Sequence, residues 1–188
     1  IAQAAEELCK DRPQSPLSNF TVDAVMYKTA LVTGKKIDMA LTNFGGIRVD
    51  SFAEGVIMLD DVESAFPFNN YLCYIALKGS DLREMLESIV AKGIQPVAGV
   101  KLVIEGSKLV SVEVGGQPLD DERVYGLATV DFLLDGGDDI YAARNAIELI
   151  QSDVVIKEAI LSYLDKLTVG GTVPLSYPID DRVIIKEI

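Results

Sequence analysis

Histidine is absent from this chain of 188 residues. Histidine is the usual general base near neutral pH and the commonest metal ligand in proteins. Its absence argues against a zinc site or a di-metal hydrolase site, because sites built only from oxygen ligands favour calcium or magnesium. We therefore expect this chain to hold no metal site and no cofactor.

Cysteine is scarce as well. The chain has only Cys9 and Cys73, and their spacing fits no metal-binding or redox motif. Cys73 lies inside an apolar pattern that is typical of a strand. We interpret it as a small buried hydrophobic residue and not as a reactive group.

Long hydrophobic runs and basic clusters are also missing. No apolar run approaches the roughly 18 residues that a bilayer-spanning segment needs, so we expect no transmembrane segment. The formal net charge of −12 and a sequence pI of about 4.4 argue against a nucleic-acid polymer as partner, because such binding needs a basic surface. A single small anion is different, since one local arginine is enough to hold it.

The length suits a single domain over residues 1–188. Hydrophobic residues make up 49% of the chain, which is enough for a globular core. The first residue is isoleucine and not methionine. We expect that the chain is a processed form or a piece, so that any targeting signal lies outside the sequence.

Four segments have the spacing of a helix. They are residues 2–9, a segment capped by Ser18 or Asn19, a segment that starts at an N-cap Ser80, and a long segment that starts at Ser152. A further turn of helix is expected near the short strand pattern "VIMLDD".

Strand patterns occupy most of the remaining chain. We predict strands at "KKIDMALTN", "YLCYIALKG", "VAGVKLVIEG", "KLVSVEVGG", "RVYGLATV" and "DRVIIKEI". The second is apolar on both alternations, which is typical of a central strand covered on both faces. A tight turn at Gly106 and Ser107 predicts a hairpin. Hairpins mixed with separate helices indicate the α+β class, with mixed sheets and packed helices.

Three loops at strand boundaries carry the residues that could bind a ligand. The first loop is "NFGGIR" (43–48), the second is "FPFNN" (66–70), and the third is "DFLLDGGDDI" (131–140). Arg48 could clamp a phosphate through paired hydrogen bonds, and Asp138 could accept bonds from vicinal hydroxyls. Each motif alone also fits a structural role, as turn glycines, buried phenylalanines or a solvated acidic loop.

The three motifs in this order, separated by strands, resemble the C-terminal domain of the 5'-nucleotidases. This family includes periplasmic UDP-sugar hydrolases and ecto-5'-nucleotidase. The resemblance extends from "SPLSNFTVDAV" to "DDRVI" and includes "YLCYIALKGSDLREMLE", which is similar to the strand and helix that follow the Pro-Phe motif of the family.

The resemblance implies a role for one or two residues of each loop. Asn43 would approach the edge of a nucleobase, and Arg48 would face the phosphate. Phe68 and Phe132 would sandwich the base. Asp138 would accept the ribose hydroxyls.

The glycines of the first and third loops belong to the same implied substrate site, since they let the backbone approach a ligand. They are Gly45, Gly46, Gly136 and Gly137. Family members also use an arginine just ahead of the segment that is "SPLSN" here, and Arg12 is the candidate for that position.

The sequence departs from the family pattern at four positions. Phe44 replaces a glycine, and we expect it to narrow the first loop. Asn69 replaces the glycine that follows the Pro-Phe pair, although asparagine tolerates left-handed geometry. Asp139 and Ile140 replace a glycine and an aromatic residue, which is expected to alter the geometry on the ribose side.

Members of the family hydrolyse phosphate esters with a di-metal centre and a catalytic histidine on a separate metallophosphoesterase domain. No such domain exists in this chain, so we predict no catalytic residue here and divalent metals on a partner domain or chain. The resemblance implies the nucleotide-recognition half of a hydrolase, inactive alone, in the periplasm or outside the cell, with or without a lipid anchor. The alternative is a stand-alone nucleoside- or nucleotide-binding module or an interaction domain, and the preferred nucleotide stays open.

Overall fold

The computed structural model describes all residues, 1–188. The helices are α1 (Pro16–Thr33), α2 (Leu59–Ala65), α3 (Gly79–Ala91) and α4 (Ile156–Thr168). The strands are β1 (Ala2–Ala4), β2 (Leu8–Cys9), β3 (Met39–Leu41), β4 (Ser51–Phe52), β5 (Gly55–Ile57), β6 (Tyr71–Lys78), β7 (Val97–Ala98), β8 (Val100–Glu105), β9 (Lys108–Val114), β10 (Gln117–Pro118), β11 (Val124–Val130), β12 (Glu148–Val155) and β13 (Val183–Lys186). Short 3₁₀ turns occupy Phe44–Gly46, Asp131–Leu133 and Gly137–Asp139.

The main sheet has five strands in the order β12-β6-β11-β3-β7. Strand β11 is antiparallel to β6 and parallel to β3, so the sheet is mixed. A second sheet has the order β10-β9-β8-β13, and its last pair is parallel. Two small antiparallel pairs, β1 with β5 and β2 with β4, complete the domain. Mixed sheets with packed helices confirm the α+β class.

The strongest sequence patterns are confirmed as elements. Strand β6 lies inside the main sheet, and its residues 72–77 are all buried. Cys73 within it is fully buried, as interpreted from the apolar pattern. Strands β8 and β9 form the predicted hairpin around Gly106. None of the helices combines the length and the apolar composition that a bilayer-spanning segment needs.

The helix predicted for residues 2–9 is wrong, because this segment forms β1 and β2. Ala2 and Ala4 are buried while Gln3 is exposed, which is the period-two pattern of a strand. Their partners are Ile57 and Gly55 on β5. Pairing with a distant segment therefore overrides a helical spacing that covers only two turns.

The predicted start of α1 is also wrong by a few residues. Ser15 is the N-cap, and its hydroxyl accepts a hydrogen bond from the backbone N–H of Ser18. Ser18 reciprocates from the N3 position, because its hydroxyl accepts a bond from the N–H of Ser15. Pro16 begins the helix at N1, where the missing N–H has no intrahelical partner to lose.

Two further helix starts differ from the prediction. Helix α3 begins at Gly79, one residue before the predicted cap Ser80, and the N-cap is Lys78. Gly79 is required there, because a Cβ would lie 1.9 Å from the backbone oxygen of Asp120. The last helix begins at Ile156 and not at Ser152, since the residues before it complete the edge strand β12.

Candidate functional site

All three candidate loops lie at one edge of the main sheet. Strands β3 and β11 are parallel, so the first and third loops leave the sheet at the same end. Strand β6 is antiparallel to β11, with Leu72 opposite Val130, so the second loop enters the sheet at that end. The backbone N–H of Tyr71 also donates to the Asp131 carboxylate over 3.1 Å. The topology therefore brings together loops that are far apart in sequence.

A side-chain hydrogen bond joins the first loop to the third. The amide Nδ2 of Asn43 donates to Oδ2 of Asp138 over 2.7 Å, and Asn43 is only 5% exposed. Gly46 allows this approach at close range, whereas a Cβ at Gly45 would make only an ordinary contact. A Cβ on Gly46 would lie 2.9 Å from Oδ1 of Asn43, and one on Gly45 would lie 3.4 Å from Oδ2 of Asp138.

Arg48 is exposed at the end of the first loop and forms no ion pair with a carboxylate. Its guanidinium lies 5.8 Å from the centre of the Phe68 ring. One guanidinium nitrogen approaches the backbone oxygen of Gly45 at 3.4 Å, which is a long hydrogen bond. Most of its donors are therefore available to an anion.

Two phenylalanines are exposed at this edge, Phe68 by 48% and Phe132 by 46%. The other four phenylalanines of the chain are no more than 6% exposed: Phe20, Phe44, Phe52 and Phe66. The interpretation of Phe68 and Phe132 as buried core residues is therefore wrong. Burial of a phenylalanine ring is worth roughly 1.5–3 kcal/mol, so two open rings on neighbouring loops form an unusual surface.

A narrow hollow separates the first two loops. Its volume is about 10 Å³, and its lining includes Thr42, Asn43, Phe68 and Asn70. Asn43 and Phe68 therefore line the same small space, although they come from different loops. The hollow is about the size of one water molecule, so a larger ligand would lie on the open side of the rings.

The third loop turns through unusual backbone geometry. Gly136 has a φ of 105°, and Asp138 and Asp139 have φ values of 50° and 59°. A Cβ on Gly137 would lie 1.9 Å from the backbone oxygen of Phe132, so only glycine fits there. The packing of Gly137 on Phe132 ties the exposed ring to the segment that carries Asp138.

The sequence prediction missed two residues that support the site. The ammonium group of Lys92 pairs with the carboxylate of Asp139. Gln95 accepts a hydrogen bond of 2.9 Å from the backbone N–H of Phe44. Both residues lie between α3 and β7 and outside the three motifs, so no local signal marked them.

Arg12 lies beside the first loop and forms no hydrogen bond or ion pair with the other predicted ligand groups. Its guanidinium carbon lies 4.4 Å from the centre of the Phe44 ring, and it donates a hydrogen bond to the backbone oxygen of Ile94. The Phe44 side chain is buried beneath it. The bulky residue at this departure from the family pattern therefore packs inward against Arg12.

Electrostatics at the edge are mixed. Arg48 and Lys92 supply positive charge, and Asp138 and Asp139 supply negative charge. No group of three or more His, Cys, Asp or Glu side chains is arranged to hold a metal ion. The site as built can donate to an anion, accept from hydroxyl groups and present aromatic faces to a flat ligand.

Comparison with known proteins gives the family. Residues 1–145 match the family model for the 5'-nucleotidase, C-terminal domain. UshA of Yersinia enterocolitica is 31% identical over 134 residues, which cover 69% of this chain and 24% of that protein. The cell wall protein Lmo0130 of Listeria monocytogenes is 28% identical over 181 residues, covering 87% of this chain and 23% of that protein.

The solved structures agree. A 5'-nucleotidase precursor from Thermus thermophilus superposes with a TM-score of 0.85 at 27% identity, covering 98% of this chain and 39% of that one. The NAD nucleotidase of Haemophilus influenzae shares the fold, with a TM-score of 0.72 at 21% identity. The chain spans about a quarter of the length of the curated relatives it matches. It belongs to the family of 5'-nucleotidase C-terminal domains.

Proposed function

We propose that this chain is the nucleotide-recognition part of a 5'-nucleotidase-type phosphohydrolase. The observation that carries the proposal is the pair of exposed rings, Phe68 and Phe132, on loops that meet at one sheet edge. The Asn43–Asp138 hydrogen bond and the unpaired Arg48 lie at the same edge. A nucleotide has one chemical group for each of these features.

The base would stack between the two rings. Base–aromatic stacking is worth about 1–3 kcal/mol per base and tolerates any base, because every base has a π face. Asn43 lines the hollow beside Phe68, where an amide can meet the edge of the stacked base. This arrangement favours a flat heteroaromatic ligand over a flexible or aliphatic one.

The sugar and the phosphate would contact the charged residues, Asp138 and Arg48 respectively. Asp138 keeps acceptor capacity beyond its bond to Asn43, because a carboxylate has about four lone-pair positions. Vicinal ribose hydroxyls are suitable donors for these positions. Arg48 lies within cation–π distance of Phe68, so a phosphate attached to a nucleoside stacked on that ring is within the range of its fork of donors.

The chemical step would belong to a metallophosphoesterase domain or chain that carries the divalent metals. Such metals supply an activated water and stabilise charge on the phosphoryl oxygens. The contribution of this chain would be positioning, which can supply much of a rate enhancement. The short span of this chain within its relatives supports a division of this kind. We propose a location outside the cytoplasm for the whole protein, and the similarity to a cell wall protein of Listeria supports it.

Calorimetry with adenosine and AMP tests the recognition role. Phe68→Ala and Phe132→Ala should each weaken binding by about 1–3 kcal/mol, or roughly 5- to 150-fold. Phe68→Leu keeps apolar area without a π face and should also lose affinity, whereas Phe68→Tyr should keep most of it. Both rings are about half exposed, so the variants should remain folded. Failure of the unaltered chain to bind any nucleoside or nucleotide would overturn the proposal.

A second measurement tests the division of labour. The purified chain should hydrolyse no AMP with Mg²⁺, Mn²⁺ or Zn²⁺, because it offers no ligands for two metal ions about 3.5–4 Å apart. Activity should appear when a metallophosphoesterase domain is supplied. Metal-dependent AMP hydrolysis by the chain alone, proved free of contaminating phosphatase, would contradict it.

A further inference from the structure

We infer that the ion pair of Lys92 and Asp139 is a positioning device that holds Asp138 in the orientation that accepts ribose hydroxyls. The inference rests on the proposed function, because it concerns how one ligand group of that site is held. Lys92 would act through Asp139 on its neighbour, without being a ligand group itself.

The first reason is the backbone of the third loop. Asp138 and Asp139 are consecutive non-glycine residues with positive φ values of 50° and 59°. This region is costly for residues with a Cβ, although aspartate tolerates it better than most. Two such residues in succession persist only when their surroundings hold them.

The second reason is that separate tethers hold the two aspartates. Asn43 donates to the carboxylate of Asp138 over 2.7 Å. Lys92 pairs with the carboxylate of Asp139 and also approaches its backbone oxygen at 3.4 Å. The turn is closed by a backbone bond of 3.0 Å from the N–H of Asp139 to the oxygen of Gly136. Loss of the Lys92 tether frees one of the two left-handed residues.

The third reason is the firm position of Lys92. It caps the end of α3, and its backbone N–H donates to the oxygen of Ile89 over 3.2 Å. Ile89 and Val90 in the last turn are buried. The lysine therefore extends from a packed element to the exposed carboxylate of Asp139.

The expected effect is modest because the pair is half exposed, with 49% of the Lys92 side chain and 63% of the Asp139 side chain accessible. Exposed pairs are weak and are screened by salt. We expect Lys92→Met to weaken adenosine binding about two- to fivefold at low salt, and less at high salt. Binding of 2',3'-dideoxyadenosine should not change, since that ligand offers no ribose hydroxyls to Asp138.

A double-mutant cycle tests whether Lys92 acts through Asp139. Asp139→Gly removes the carboxylate that Lys92 pairs with, and glycine adopts positive φ freely, so the loop no longer needs the ion pair. In that background Lys92→Met should have no effect on adenosine affinity. Lys78→Met is the matched control, because Lys78 forms a similar surface pair with Glu122 at 3.0 Å and is 44% exposed. It should leave both affinities unchanged.

The outcomes distinguish this inference from the function on which it rests. If the unaltered chain binds no adenosine, the proposed function fails. If it binds adenosine more tightly than the dideoxy ligand and Lys92→Met leaves that preference unchanged, only the positioning role is overturned. An equal loss for both ligands, or a loss that persists in the Asp139→Gly background, overturns it as well.

Discussion

Asn43 and Asp138 stand 95 positions apart in sequence, yet their side chains share a hydrogen bond of 2.7 Å. The amide is nearly buried and the aspartate is exposed, so a fixed donor orients a carboxylate at the surface. Asn43 is a proposed ligand group and also the hydrogen-bond partner of Asp138, a second proposed ligand group. Its substitution should therefore remove its own contact with the ligand and also disturb the contact that Asp138 makes.

Asn43→Asp should harm ribonucleoside binding more than Asn43→Ala does. Alanine only removes the donor, whereas aspartate places a second carboxylate against Asp138 and repels it from its bound orientation. We expect about tenfold weaker adenosine binding for alanine and a further loss for aspartate, by calorimetry at pH 7. Equal losses would indicate that the bond does not orient Asp138. Gly45→Ala is the control and should change adenosine affinity little, since its Cβ would meet Asp138 at an ordinary contact distance.

Arg48→Ala should weaken AMP binding more than adenosine binding. Only AMP offers an anion, and a charge-assisted bidentate contact is worth about 1.5–3 kcal/mol. Arg48→Lys keeps the charge but not the fork, so its AMP affinity should lie between those of the other two proteins. The measurement is the ratio of the two dissociation constants for each protein. If both ligands lose affinity equally, Arg48 supports the loop and does not contact phosphate.

The elements that sequence predicted well are those whose burial follows from local pattern. Strand β6 is apolar on both faces and lies inside the sheet, and the β8–β9 hairpin has its turn at glycine. The segment 2–9 was misjudged because its short pattern fits two periods, and its pairing with β5 depends on residues over 50 positions away. Strand β12 has no marked hydrophobic pattern, because it is an edge strand whose residues are partly or fully exposed.

In the candidate site, too, some residues were marked by local sequence patterns and others were not. Glycine pairs, the Pro-Phe motif and the acidic turn marked three loops, and sheet topology then explains why these loops meet. Lys92 could not be found, because a lysine at a helix end is usually solvated and its partner Asp139 is 47 positions away. The mutual contact of Arg12 and Phe44 was equally invisible, since it exists only after folding.

Val169 is expected to be a site where substitution stabilises the domain. It lies at the end of α4 with a φ of 50°, is 64% exposed, and is β-branched, which makes this backbone region unfavourable. Val169→Asn should raise the free energy of unfolding by about 1 kcal/mol, measured in urea. Val173→Asn is the control, because Val173 is 47% exposed and lacks a positive φ. A gain of the same size for Val173→Asn would mean that replacing an exposed apolar side chain, and not relieving backbone strain, stabilises the domain.

The buried thiol of Cys73 should make the domain less stable in alkaline solution. Burial, with a smaller contribution from the negative charge of Asp131, raises the pKa of its thiol from 9.0 to about 12. Below pH 9 the thiol is protonated in both the folded and the unfolded state, so its contribution to stability is complete. Between pH 9 and 12 the unfolded chain loses this proton while the folded chain keeps it. The free energy of unfolding should therefore fall as pH rises through this window, by up to about 1.4 kcal/mol per pH unit from this group.

Urea unfolding at intervals from pH 8 to 10.5 measures this slope, and the difference between variants isolates the thiol from other titrating groups. Cys73→Ala should be less stable than the unaltered chain at pH 8, because it leaves a small cavity. Its disadvantage should shrink as the pH rises, since it has no proton to lose. Cys9→Ala is the matched control: Cys9 is exposed, so the variant should keep the full alkaline slope. If the free energy of unfolding falls with pH equally for Cys73→Ala and the unaltered chain, the buried thiol is not the cause of the alkaline loss of stability.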